Sequence, residues 1–498
     1  MMKSISVKGC KAEKVDNSGG TNMMDKSLNP AKASIWYTIC SVVQKGISLF
    51  LIPMYVRLMT TEEYGRYTLA QSWEGILLVF TTLNLAAYAF NNCLIQNEEE
   101  RERVTGAFAG LILFLTTVCI CIFLSFNSFW EKILGLSGKY ILLILLDSCF
   151  MVLIDLWYAR KKFDYAYRGV VIVTIGISFF NLIVGMFFVI YAPEKAFAAF
   201  LAGTSVRGIV ALILLVDIWR KGHSFFDTRF WRYALCFNIP LIPHFLSTRV
   251  LQQADRVMIE KYCGASQAGI YGFSYKITES MLIFNTAFLS STIPWTYKKL
   301  KEHKYKDIFS TIFATIILIA GLNLFLILLA PEIIIVLGTN AYEEAVYIIP
   351  PVACSVFFMY LFNCFVNITY FYEENKKVTA ASIIAAFLNI VLNWWMIPQY
   401  GYLAAGYTTL VSYICLTIMH GVMQHIALRK NGVCEEVYHM PLLMLFSMIF
   451  TLLALCSSFL YRSRMIRYGI ILFFLILMII KRNTLMVILR NVINDRKS

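Results

Sequence analysis

The sequence predicts an all-α, polytopic membrane protein with about fourteen transmembrane helices. Three observations carry that prediction. Of 498 residues, 59% are hydrophobic and only 15% charged, against about 45–50% and about 25% in a soluble domain; the mean hydropathy is +0.67. The apolar residues fall into runs of about 20, the length that crosses a bilayer as a helix. One short corner is written twice: EEYGRYTLAQSW (62–73) returns as SQAGIYGFSYKI (266–277), aligning Gly65 with Gly269 and Tyr67 with Tyr271.

Taken in order, the first six runs are 34–53, 64–93, 106–126, 139–159, 169–191 and 196–218. The next six are 233–260, 269–293, 308–330, 345–371, 378–398 and 402–425, and two more follow at 440–461 and 466–480. Only helices and closed barrels satisfy every backbone polar group in lipid, and these runs lack the apolar/polar alternation of a barrel. Pro240 and Pro243 in NIPLIPHF should bend the seventh span. Residues 1–30 are polar, have no cleavable apolar leader, and are expected to be a disordered cytoplasmic tail, with Met23 or Met24 as alternative starts. Residues 481–498 read as a cationic, amphipathic cytoplasmic tail.

Loop charge orients the chain. With the N-terminus inside, six inner loops, QNEEERERV, ARKKFDYAYR, WRKGHSFFDTRFWR, YKKLKEHKYK, EENKK and ALRKNG, hold nineteen Lys and Arg. That is the positive-inside pattern, so both termini are expected in the cytoplasm and the chain in the cell membrane. YRSRMIRY, with Arg462, Arg464 and Arg467, is the exception, on the outer side. The net charge of +14 therefore marks a membrane topology; no soluble basic domain exists to bind nucleic acid. The thirteen cysteines have neither metal-ligand nor disulfide-framework spacing. No cofactor or metal is expected.

The doubling extends past the corner. WYARKKF (157–163) corresponds to YFYEENKK (370–377), Asn181 to Asn389, and FLAGTS (200–205) to LAAGYT (403–408), all offset by about 203 to 214 residues. Six spans separate each pair, and an even number preserves orientation. The chain thus reads as parallel repeats, 31–222 and 223–430, followed by two additional helices in 431–480. Transporters built from such repeats place their sites at the repeat interface.

The stretch GISLFLIPMYVRLMTTEEYGRYTLAQS resembles the first hairpin of bacterial polysaccharide/oligosaccharide flippases, of the multidrug/oligosaccharidyl-lipid/polysaccharide exporter superfamily. LQQADRVMIEKYCGASQAGIYGFSYKI is similar to that family's second-lobe hairpin. The resemblance spans about residues 31–480. It implies two six-helix lobes around a central cavity plus two C-terminal helices, and alternating-access transfer of lipid-linked oligosaccharide from the inner to the outer leaflet for cell-surface polysaccharide synthesis. A lipid-linked peptidoglycan precursor, or a drug or cation in an antiporter of the same fold, is the alternative cargo. The expected partners are that substrate and membrane lipid, with a polysaccharide polymerase complex as a further candidate; the chain is expected to be a monomer.

Charges in the middle of spans are costly and tend to face a cavity or a partner. Lys45, Arg207, Arg249 and Lys276 come from four different spans and are the candidates for a cationic cavity that replaces the water around a pyrophosphate. Tyr67, Gln71 and Glu74 share one helical face, as do Arg249, Gln252 and Arg256. Tyr67, Gln71, Gln252 and Tyr275 are the sugar-contact candidates. Glu74, Asp147 and Asp155 are the ion-coupling candidates. Plainer readings stand beside these: Lys276 neutralising Glu279 at i, i+3, Asp255 and Arg256 as a structural pair or as interfacial anchors, and the acidic groups as interhelical hydrogen bonds. Short loops without a phosphate loop, metal cluster or nucleophile arrangement argue against an enzyme.

Overall fold

The computed structural model describes residues 30–480 except 434, and its secondary structure is helical throughout. The expected terminal tails lie outside the described residues. The first half consists of α1 (Pro30–Leu58), α2 (Thr61–Thr82), α3 (Tyr88–Gln96), α4 (Arg101–Ser125), α5 (Asn127–Leu134), α6 (Gly138–Phe163), α7 (Tyr167–Tyr191) and α8 (Lys195–Gly222). The second consists of α9 (Thr228–Asn238), α10 (Ile242–Cys263), α11 (Ala265–Glu279), α12 (Leu282–Lys301), α13 (Tyr305–Leu328), α14 (Ala330–Leu337), α15 (Ile349–Phe371), α16 (Asn375–Tyr400) and α17 (Ala404–Lys430). Two further helices follow, α18 (Met440–Cys456) and α19 (Arg464–Ile480).

Among the described residues, eleven helical segments are long and apolar enough to cross a membrane. The other three expected spans are interrupted or short. The second span breaks between α2 and α3, where Leu83 and Asn84 take φ of 48° and 52°. Its counterpart in the second half breaks at Ser280–Met281, between α11 and α12. The doubling seen in the sequence thus includes a doubled break, each following a Gly-x-Tyr corner. The described part of α19 has 17 residues. A left-handed leucine is strained, and unwound backbone survives at membrane depth only where it lines a cavity or is buried in protein. Asn84, Ala86 and Ala87 line a cavity of about 710 Å³.

The repeated corner is where the halves cross. The start of α2 lies against the start of α11 so closely that a Cβ on Gly65 would sit 1.8 Å from the Ala265 carbonyl oxygen, and one on Gly269 would sit 2.2 Å from that of Thr61. The Thr61 and Ser266 hydroxyls meet at 2.7 Å beside it. Any side chain at either glycine would collide with backbone, which cannot step aside. The sequence carries the corner twice because the two copies touch each other.

One boundary differs from the expected one. α9 does not pack with the helices that follow it. Phe230 and Ala234 are buried in the first half's core, the Trp231 indole N–H donates to the Ala107 carbonyl at 2.8 Å, and Arg229 and Asp227 form ion pairs with Glu100 and Arg103. The expected bend at Pro240 and Pro243 is a 3-10 turn, Ile239–Leu241, and it separates α9 from α10. The unexpected outer arginine is also explained. Arg467 is 1% exposed and donates two bonds to the Glu332 carboxylate, at 2.6 and 2.8 Å, and one to the Leu328 carbonyl. Its charge fastens α19 to α14 and is not a solvated topological signal.

Candidate functional site

Three adjoining chambers have volumes of about 710, 480 and 190 Å³; the two smaller ones lie between the halves and the largest opens mainly into the first half. Met151 of α6 borders all three; Leu78 and Arg249 join the largest to the smallest, and Gln71, Glu74 and Lys276 join the smallest to the second. The large chamber descends from Leu78 and Met151 to Lys162 near the end of α6 and Tyr165 in the α6–α7 turn, at the end bearing the basic loops. The opposite end is closed by the glycine crossing.

The four basic candidates all border this hollow. Lys45 projects from α1 and Arg207 from α8 into the 480 Å³ chamber, Lys276 of α11 reaches both smaller chambers, and Arg249 of α10 reaches the largest and the smallest. They are not equivalent. Arg207 is held by the fully buried Asp147 in a two-pronged pair, with Nε donating to Oδ1 at 2.6 Å and Nη2 to Oδ2. Lys276 pairs with Glu279 at 3.0 Å, each about a third exposed. Lys45 and Arg249 have no hydrogen bond or ion pair among the described residues, so their charge is available to a ligand.

Tyr67, Gln71 and Glu74 line the second chamber, as one helical face requires. Gln71 donates to the Tyr67 hydroxyl at 2.9 Å, and Tyr67 stands edge-on to Tyr55 at 5.4 Å between ring centres. One oxygen of the Glu74 carboxyl is buried without a partner, although the carboxyl lies against the Asp147–Arg207 pair. Asp155 is exposed within the large chamber. Asp147 borders none of the three chambers.

Three sequence readings require correction. Gln252 borders none of the chambers; Gln253 does, beside Arg249 and Arg256. Tyr275 is buried beneath the Arg256 guanidinium, 4.1 Å from its ring centre, so its face is already occupied by a cation rather than presented to a sugar. Asp255 and Arg256 are not a pair with each other. Successive residues on a helix diverge by about 100°, and these point opposite ways. Asp255 turns into the second half, where it accepts from Tyr271 at 2.8 Å, Asn393 at 2.7 Å and Thr409 at 2.5 Å. Arg256 turns into the smallest chamber, donates one bond to Gln253 at 2.5 Å, and keeps Nη2 buried and unpartnered. It is a cavity cation that sequence reasoning set aside. Its signal was its i+7 spacing from Arg249.

A family model described as "Polysaccharide biosynthesis protein" matches residues 31–300, and one described as MatE matches residues 240–395. The chain is 24% identical over 244 residues to the uncharacterized membrane protein MJ1375 of Methanocaldococcus jannaschii, covering 48% of this chain and 57% of that protein, so it spans less than two thirds of that relative. It is 18% identical over 379 residues to Lsg locus putative protein 1 of Haemophilus influenzae, covering 72% of this chain and 89% of that one. Among solved structures, an inward-facing multidrug resistance MATE transporter superposes with a TM-score of 0.64 at 12% identity, over 80% of this chain and 99% of that one. The lipid II flippase MurJ, in an inward closed conformation, superposes with 0.62 at 14% identity, over 86% and 99%. The two solved structures share the fold of this chain, that of an all-helical multi-pass membrane protein. With the first family model covering more than half its length, the chain belongs to the polysaccharide biosynthesis protein family.

Proposed function

We propose that this membrane transporter flips polyprenyl-pyrophosphate-linked oligosaccharide from the inner to the outer leaflet, with the diphosphate held in the smallest chamber. The observation that carries the reading is the convergence there of Arg249, Arg256 and Lys276, with Lys45 and Arg207 next door. Moving a diphosphate through hydrocarbon requires fixed donors in place of its water, and arginine offers the planar fork that phosphate oxygens accept. The unpartnered Nη2 of Arg256 and the unpaired Arg249 supply those donors. Tyr67 and Gln71 then face the glycan. The alternative cargo, a lipid-linked peptidoglycan precursor, shares the diphosphate and would use the same cations.

Alternating access follows from the two ends. The halves, divided in the sequence at 222/223, rock about the glycine crossing with α9 moving with the first half, so that the 3-10 turn at Pro240 is the hinge. Glu74 is the best-placed coupling group, because its buried carboxyl lies beside a carboxylate whose one arginine is already engaged. Placing the basic-loop end in the cytoplasm puts both termini inside the cell membrane. The chain acts as a monomer, and a polymerase would receive its product.

The test is complementation of a strain lacking its polysaccharide flippase, with expression checked. Wild type restores surface polysaccharide, while Lys45→Ala, Arg249→Ala and Arg256→Ala each reduce it by tenfold or more. Full restoration by all three variants would refute the cationic-cavity reading.

A further inference from the structure

The large chamber is almost wholly a concavity of the first half. Its walls are α6 and the broken α2–α3 segment, and Arg249 is the one lining residue contributed by the second half. Facing it across the chamber is Asp155 of α6, exposed in mid-span. The two charges are within electrostatic reach of each other, yet they form no ion pair among the described residues. Lys162, the other cation of this chamber, lies on α6 itself, seven residues from Asp155, so lobe movement leaves that spacing unchanged. Of the two cations lining this chamber, only Arg249 changes its distance to Asp155 when one half rocks against the other.

We infer that Asp155 and Arg249 are the two parts of a charge latch that closes this end of the transporter, and that anionic cargo on Arg249 holds the latch open. When the halves swing together the chamber loses water, and two opposite charges that would otherwise be stranded in a drying cavity are driven to pair. A diphosphate bound to Arg249 removes the positive partner, so closure is favoured only once the cargo has moved past Arg249 into the smaller chambers. Asp155 is then a positioning residue, acting on transport through the conformational equilibrium. The second part of this inference rests on the cargo reading above; the latch itself does not.

The outcome is read in proteoliposomes as labelling of Thr68→Cys by an impermeant maleimide added on the sealed side. Thr68 is buried and borders the smallest chamber, so it reacts from that side only when the glycine crossing opens and the basic-loop end shuts. Labelling is measured over the background of the parent's native cysteines. Asp155→Asn and Asp155→Arg should each slow labelling about two- to fivefold, the worth of one partly screened ion pair. The charge exchange Asp155→Arg/Arg249→Asp should recover most of the loss. Unchanged labelling in Asp155→Asn, or an exchange variant no better than Asp155→Arg alone, overturns the latch. Inorganic pyrophosphate on the basic-loop side should slow labelling of the Asp155-bearing protein by a similar factor and add nothing in Asp155→Asn. If the exchange restores labelling but pyrophosphate has no effect, the latch stands and the diphosphate reading of Arg249 falls.

Discussion

The two ends of the molecule are built on opposite terms. At the sealed end the halves touch through backbone. Two glycines let α2 and α11 cross, a pair of hydroxyls closes beside them, and α14 is gripped from both sides: Arg57 of α1 donates to the Val336 carbonyl at 2.7 Å and Arg467 of α19 pairs with Glu332. At the basic-loop end the ties are ion pairs near the surface, Arg103–Asp227 and Arg229–Glu100 holding α9 to the first half and Lys430–Glu374 within the second. Short-range shape holds one end and screened charge tunes the other. A rocking transporter needs one end closed firmly enough to exclude solvent while the other stays open at little cost.

The contrast can be broken at graded strength. The largest effect is expected at the crossing. Gly65→Ala puts a methyl into the Ala265 carbonyl, and the displacement of helix backbone should destabilise the protein by about 3 kcal/mol, seen as a fall in unfolding temperature in detergent. A near-parental unfolding temperature would mean the helices do not cross so closely. Next is Arg467→Met. Breaking a fully buried ion pair costs about 3–5 kcal/mol; Glu332 keeps 28% exposure, so about 2–3 kcal/mol is expected, together with protease sensitivity of the chain after α18. Arg57→Ala removes one exposed hydrogen bond worth about 1 kcal/mol, and should raise labelling of Thr68→Cys from the sealed side about fivefold while leaving unfolding almost unchanged. Smallest is Arg103→Ala at the other end, expected at or below about 1 kcal/mol and vanishing at high salt.

Much of this was legible in the residues, for reasons that differ by feature. Composition and run length gave the fold class because lipid admits so few backbone solutions. The doubled Gly-x-Tyr corner announced two related halves, and it marks their contact because glycine is what a backbone crossing demands. Lys45, Arg207, Arg249 and Lys276 reach one hollow because mid-span charge has few other places to go. The break after Thr82 left no signal: LNLAA holds neither proline nor glycine, and its left-handed turn is imposed by packing around the chamber. Side-chain direction also escaped. Whether Gln252 or Gln253 faces the hollow, and that Asp255 and Arg256 turn apart, depends on the rotation of α10, which its neighbours α2 and α16 set.

The most direct test of the central claim, that the hollow between the halves is a passage for a diphosphate-linked glycan, is leaflet transfer by purified protein in proteoliposomes. A polyprenyl-diphosphate oligosaccharide is compared with the same glycan on an uncharged polyprenyl lipid. Transfer of the diphosphate lipid alone, falling at least tenfold in Arg249→Ala and Arg256→Ala while both variants keep the parental unfolding temperature, is the predicted result. Equal transfer of both lipids, or undiminished transfer by the two variants, would contradict it.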